Sequence, residues 1–332
     1  MDSDRLLNRG GSGMKEFLEK HLRPARRWTD QFLIAFFIVV SLIFLGQLMG
    51  SLLTGIFTIA LYGVGSKGPA FFETGMHYGE FIGIWFVLVA AMCLPNNVPM
   101  LKTLWTDLSG NSFRMSLFGA LLGFGINGLC ILCSVLNHDL SLYFSDFNIL
   151  VFLFLLLMVF IQSAAEEIVF RSYYYEKLRR RYRSPLFALL VNAIGFSLLH
   201  AGNTNMTLWG LLQCALFGIL AGVLVHYYNS LWAAFWLHTV FNFTQSILFG
   251  LPNSGLVLPY SIYKVDAAAN GFFFDVGNGV EGSPGCCILL AVVTVILVVI
   301  AKRRKLQPHD LWNESETSPD CTAQAQSADA RL

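Results

Sequence analysis

The segment ILVFLFLLLMVFIQSAAEEIVFR, Ile149 to Arg171, decides the fold. From Ile149 to Ile161 it is an unbroken apolar run that reads as a membrane helix, yet it leads into two adjacent carboxylates, Glu166 and Glu167, and then Arg171. An acidic side chain at the centre of a membrane helix costs roughly 2.5–3.5 kcal/mol, so a helix that carries two requires compensation. Part of it is visible in the spacing. Glu167 and Arg171 are i and i+4, on one helical face and able to pair, whereas Glu166 is rotated about 100° from Glu167 and faces a different neighbour.

The whole chain agrees with a membrane setting. Of its 332 residues 55% are hydrophobic and 13% charged, with a mean hydropathy of +0.59, against about 25% charged in a soluble domain. A net charge of +1, with the basic residues in short blocks beside apolar runs, gives no nucleic-acid signature and reports membrane orientation instead. The seven cysteines form neither a disulfide set nor a metal framework. Cys130 and Cys133 lie inside an apolar run with no partner pair, and the intramembrane cysteines read as small packing residues. The basic segment from Lys15 to Arg27 precedes an apolar stretch too long for a cleavable signal, so the first helix reads as a retained anchor.

Taken in order, the chain predicts an all-α, polytopic integral membrane bundle of about eight transmembrane helices. Residues 1–30 are a basic cytoplasmic lead-in. Residues 31–144 hold the first crossings: Phe32 to about Gly63, as one long helix or one broken near Gly50, then Tyr78 to Leu94 and Met115 to Leu136. Gly119, Gly123, Gly125 and Gly128 offer close helix contacts in the third. Residues 145–250 form the core, with a helix from Asn148 carrying the carboxylates and others at Pro185 to His200, Met206 to Tyr228 and Leu231 to Phe249. Residues 251–305 comprise an outer loop and a last helix from Cys286 to Ala301, and residues 306–332 a disordered cytoplasmic tail. The block Lys177, Arg179, Arg180, Arg181 and Arg183 reads as a cytoplasmic loop, and Asp266, Asp275 and Glu281 as charges of an outer loop; both termini then lie inside.

Depth brings the polar residues together. At 1.5 Å per residue Glu166 lies roughly 20 Å from the basic loop, His200 roughly 24 Å along the neighbouring helix, and His238 and Asn242 roughly 14 and 20 Å in from the turn at Asn229. Phe196 and His200 are i and i+4, as are His238 and Asn242. Each has a plain alternative: a Glu pair at an interface, a packing histidine such as His226, or an asparagine holding two helices together. Their joint occurrence at one depth favours a site.

The three motifs, Glu166-Glu167-x-x-x-Arg171, Phe196-x-x-x-His200 and His238-x-x-x-Asn242, resemble the signature of the CAAX prenyl protease and bacteriocin-processing (Abi) superfamily, over roughly residues 145–250. The resemblance implies an intramembrane glutamic endopeptidase without metal or other cofactor. Glu166 with His200 would activate water, His238 and Asn242 would stabilise the oxyanion, and Glu167, Arg171 and Phe196 would support them. The implied partners are the lipid bilayer and a protein or peptide substrate, prenylated in one branch of the superfamily, and the implied location is a plasma membrane. Two other readings share these residues: a zinc protease with Glu166, His200 and His238 as ligands, and a non-catalytic bacteriocin-immunity protein that acts by binding.

Overall fold

In the computed structural model, residues 20–105, 108–308 and 310–312 are described. Lys15 and most of the expected tail lie outside them. Helix α1 (Phe32–Tyr62) is one unbroken helix of 31 residues, about 46 Å long and so longer than the ~30 Å hydrocarbon layer. The alternative break near Gly50 does not occur, because Gly50 serves a packing need: a Cβ there would lie 1.6 Å from the carbonyl oxygen of Glu80. Helices α2 (Ala70–Gly79) and α3 (Ile82–Met92) make one nearly continuous crossing, which starts at Ala70 rather than Tyr78. Helix α4 (Phe113–Leu136) follows, its first turn capped by Ser112.

The core begins with α5 (Ile149–Glu167), which passes through a π-helical stretch, Ile168–Tyr174, into α6 (Tyr175–Arg181). Then come α7 (Pro185–His200), α8 (Leu208–Tyr228) and α9 (Leu231–Asn242), the last extended by a second π-helical stretch, Phe243–Leu248. Helix α10 (Pro284–Arg303) closes the bundle. Among the described residues six helices are long and apolar enough to cross a membrane, counting α2 with α3 and α5 with α6 as single spans. The apolar α7 is shorter. Two strands that an all-helical outline does not include, β1 (Leu140–Phe144) and β2 (Tyr263–Ala268), pair antiparallel with an irregularity between Ser141 and Leu142.

Helix α9 packs against α4, α5 and α8, and so sits at the centre of the bundle. Its approach to α4 depends on two glycines. A Cβ at Gly119 would fall 2.1 Å from the Ala233 carbonyl oxygen, and one at Gly123 would fall 2.3 Å from that of Leu237. Gly125 and Gly128 do not share this role: a Cβ at Gly125 meets nothing within 4 Å, and one at Gly128 only the Phe124 ring. Gly119→Ala is therefore expected to destabilise the bundle by about 1–3 kcal/mol, as overpacking does, while Gly125→Ala leaves it unchanged or slightly firmer. Thermal unfolding in detergent checks this, and equal melting temperatures for the two variants would contradict the close-contact account.

The basic block is not an open loop. Lys177, Arg179 and Arg180 are buried on α6, because counter-charges distant in sequence reach them. Buried Asp30 receives Arg180 through Nε to Oδ2 (2.7 Å) and Nη2 to Oδ1 (2.6 Å), with Lys177 Nζ 3.1 Å away. Asp310 accepts from Arg179 Nη2 at 2.8 Å and from Arg23. Burial alone would raise the Asp310 carboxyl, but the Arg23 hydrogen bond and the Arg179 charge outweigh it and hold the group below its ordinary value. Trp312 is buried and donates from Nε1 to Glu176 Oε2 (3.0 Å). Asp310 to Trp312 thus belong to the folded body, although the sequence places them in a disordered tail.

Candidate active site

Two of the three motif-bearing helices, α5 and α9, widen just past their polar residues. Glu166 and Glu167 end α5 immediately before its π-helical stretch, and Asn242 ends α9 immediately before the other. Such stretches leave backbone carbonyls in need of outside donors and recur at functional sites. Here Asn192 Nδ2 donates to the Phe170 carbonyl at 2.6 Å, tying α7 to the widened turn.

The two carboxylates occupy different surroundings. Glu167 is fully enclosed: Arg171 approaches it through Nε at 3.2 Å from Oε2, and donates from Nη1 to Oε1 at 3.2 Å. The Arg171 guanidinium lies 4.4 Å from the centre of the Phe196 ring. That contact explains the aromatic residue one turn before His200, because a guanidinium with few hydrogen-bond partners gains from a π face. His238 Nδ1 lies 2.8 Å from Glu167 Oε1. A carboxylate only accepts, so His238 carries its proton on Nδ1 and directs Nε2 elsewhere.

Glu166, with 18% of its side chain exposed, faces the cavity. Its Oε2 lies 3.8 Å from His238 Nε2 and 4.0 Å from His200 Nε2. His200 Nδ1 is 2.8 Å from the Phe196 carbonyl oxygen and must donate to it. Both histidines are therefore pinned through Nδ1, and both turn Nε2 toward one carboxylate oxygen. His226, by contrast, is paired with Tyr175 at 3.0 Å, away from this site.

Asn242 lies at the same cavity but is oriented differently from an oxyanion donor. Its Nδ2 donates to Gln162 Oε1 (3.1 Å) and Ser163 Oγ (3.4 Å), and Gln162 Nε2 in turn donates to Glu166 Oε1 (2.6 Å). It is thus linked to Glu166 through Gln162. Gln162 sits one helical turn before Glu166, on the same face, so its i−4 spacing is a signal present in the sequence. Asn253 and Glu281 carry no such signal. Asn253 Nδ2 donates to Asn242 Oδ1 (3.2 Å) and to Glu281 Oε1 (2.8 Å). Glu281 is not a solvated loop charge: it is 9% exposed and lines the cavity with Glu166, His200 and His238. Burial pushes its carboxyl up to about 7, while the Ser254 N–H and the charge of His238 pull the other way and Glu166 adds to the rise.

A second cavity of about 290 Å³ adjoins this one and shares Gln162, Glu166, His200 and Ser254. It extends past Ile43 and Gln47 of α1 and His77 and Tyr78 of α2 to Leu256 and Leu258. A larger hollow, about 720 Å³, lies elsewhere, between α3, α4, α5 and α9, and is lined by Trp85, Trp105, Trp232 and Trp236. Its lining includes no ionisable side chain, so the groups capable of proton transfer are at the smaller cavities. Among the described residues, no three His, Cys, Asp or Glu side chains are arranged to hold a metal ion.

Residues 148–244 match the family model described as Rce1-like, type II CAAX prenyl endopeptidase. No curated protein and no solved structure matched the chain. The matched residues contain all three motifs and every side chain that surrounds Glu166 from α5, α7 and α9, so over this core the chain is similar to the Rce1-like, type II CAAX prenyl endopeptidases, the resemblance that the motifs themselves carry.

Proposed function

We propose that the protein is an intramembrane glutamic endopeptidase in which Glu166 activates a water molecule. The observation that carries this reading is the convergence of two Nε2 atoms on Glu166 Oε2 at 3.8 and 4.0 Å. Those separations are too long for direct hydrogen bonds and suit a bridging water. Glu166 takes the water proton as the oxygen attacks the scissile carbonyl, and the C–N bond then breaks as the proton passes to the departing amine. His238, its ring held through Nδ1 by the Glu167 carboxylate, turns Nε2 to the oxyanion and donates to it when that atom carries a proton. His200 positions the water. Asn242 acts through Gln162 by holding Glu166, a different part from the oxyanion donation expected from its motif.

The substrate in this reading is a protein or peptide with a lipid-modified carboxyl terminus, drawn from the bilayer into the 290 Å³ cavity beside Glu166. In this reading both termini are cytoplasmic and the membrane is a plasma membrane; the basic residues near both ends of the chain support the orientation by the positive-inside rule. The test is hydrolysis of prenylated and unprenylated CAAX peptides by purified protein in water enriched in ¹⁸O, with and without a chelator. The expected product carries one ¹⁸O in its new carboxylate and forms at the same rate with chelator present. Loss of activity on chelation, restored by zinc, would favour the metal reading; absence of any cleavage would favour a binding role.

A further inference from the structure

The loop between α9 and β2 carries a tight turn in which Asn253 and Leu256 exchange backbone hydrogen bonds, N to O, at 2.9 and 3.0 Å. The turn is wedged in place: Gly255 adopts a φ of +81° and a Cβ there would lie 1.9 Å from the Thr204 carbonyl oxygen. Glu281, from the segment just before α10, grips this turn at two points. Its Oε1 accepts from Asn253 Nδ2 and its Oε2 accepts from the Ser254 backbone N–H, each at 2.8 Å. Both Asn253 and Glu281 lie beyond the matched residues 148–244.

These contacts complete a chain of three amides with a carboxylate at each end: Glu166, Gln162, Asn242, Asn253, Glu281. Gln162 Nε2 donates to Glu166 Oε1 at one end, and at the other both Glu281 oxygens accept, from Asn253 Nδ2 and the Ser254 N–H, so the two ends of the chain are acceptors. Between two accepting ends one amide must donate in both directions, and that amide is Asn253. A flipped Asn253 would set its oxygen against Glu281 and against Asn242 Oδ1, leaving acceptors facing acceptors. With Asn253 fixed, Asn242 must present its oxygen to Asn253 and its nitrogen to Gln162. Gln162 must then present its nitrogen to Glu166.

We propose that Glu281 is a positioning residue that latches the 253–256 turn over the cavity and, through Asn253, sets the amide orientations that hold Glu166 in place. The inference rests on reading Glu166 as the base. It adds to the site a carboxylate that acts on Glu166 through the amide chain. Gln162, Asn242 and Asn253 would otherwise each have two nearly isosteric orientations.

The experiment pairs a kinetic with a structural readout on the full-length protein in detergent, using wild type, Glu281→Gln, Glu281→Ala and Asn253→Ala. Backbone hydrogen exchange over residues 253–256 is expected to accelerate at least about ten-fold in both Glu281 variants, since the Ser254 N–H loses its carboxyl acceptor. On the prenylated peptide, kcat per folded molecule is expected to fall about ten- to a hundred-fold in Glu281→Ala and Asn253→Ala, the scale found when the partners that orient reactive side chains are removed. KM should change by less than about three-fold, and Glu281→Gln, which retains one accepting oxygen, should fall between. A general loss of stability would lower the folded fraction without this split. Unchanged exchange at Ser254 overturns the latch whether or not the wild type cleaves anything, and unchanged kcat in an active enzyme overturns the positioning role. A wild type with no cleavage of any peptide, but with the exchange difference present, would count against Glu166 as the base and leave the latch standing.

Discussion

Glu166→Gln is expected to lower kcat on the prenylated peptide by about 10³-fold, within the range of 10²–10⁴ that general bases contribute, with no loss of folded protein. The substitution keeps the volume and an oxygen for the Gln162 N–H, so the amide chain survives; what it removes is the capacity to take a proton. Glu166 is 18% exposed and makes no close ion pair, its histidine neighbours standing 3.8 and 4.0 Å away. Removing its charge therefore leaves no partner uncompensated inside the protein, and the unfolding temperature should stay level or rise. The measurement is kcat and KM on one preparation, with unfolding followed by intrinsic fluorescence. A variant that retains wild-type turnover would sink the proposed mechanism outright.

His200→Ala and His238→Ala should not behave alike, for a reason visible only in three dimensions. His200 is held by a backbone carbonyl, whereas His238 hydrogen-bonds to Glu167 Oε1 at 2.8 Å, the oxygen that also accepts from Arg171 Nη1. The i, i+4 spacings already bring Glu166, His200, His238 and Asn242 to one depth, because helix rise and rotation are fixed by the backbone. Spacing cannot tell which oxygen a histidine reaches or which way an amide points. Those depend on rotamers chosen by neighbours from other helices. The same limit hid Gln162, which reads as the polar end of an apolar run until Glu166 is seen to accept from it. Glu281 was concealed more completely. A lone acidic residue in a Gly-rich loop has no periodicity to betray it, and only the fold of residues 250–283 onto the cavity turns it inward. The basic block misled for a related reason, since its counter-charges Asp30 and Asp310 sit near opposite ends of the chain.

Glu167→Gln should differ from its neighbour in kind, losing both stability and turnover. Glu167 and Arg171 are 0% and 1% exposed, and among the described residues Arg171 has no other carboxylate in contact. Removing one member of such a pair leaves a buried charge uncompensated, at about 3–5 kcal/mol. The Phe196 face offsets only part of this, since a cation–π contact contributes about 0.5–2 kcal/mol. Turnover should also fall, because His238 Nδ1 loses its charge-assisted hydrogen bond to the carboxylate that holds the ring in place. The two losses can be separated by adding Arg171→Met to Glu167→Gln. Replacing a buried ion pair by apolar groups of similar volume is often neutral or stabilising, so the double variant should regain most of the unfolding temperature. It should not regain turnover, since a neutral amide oxygen holds His238 Nδ1 by a weaker hydrogen bond than the carboxylate does. Recovery of both together would mean that Glu167 serves the fold alone; recovery of neither would mean that the pair shapes the widened turn after α5 as well as neutralising its own charge.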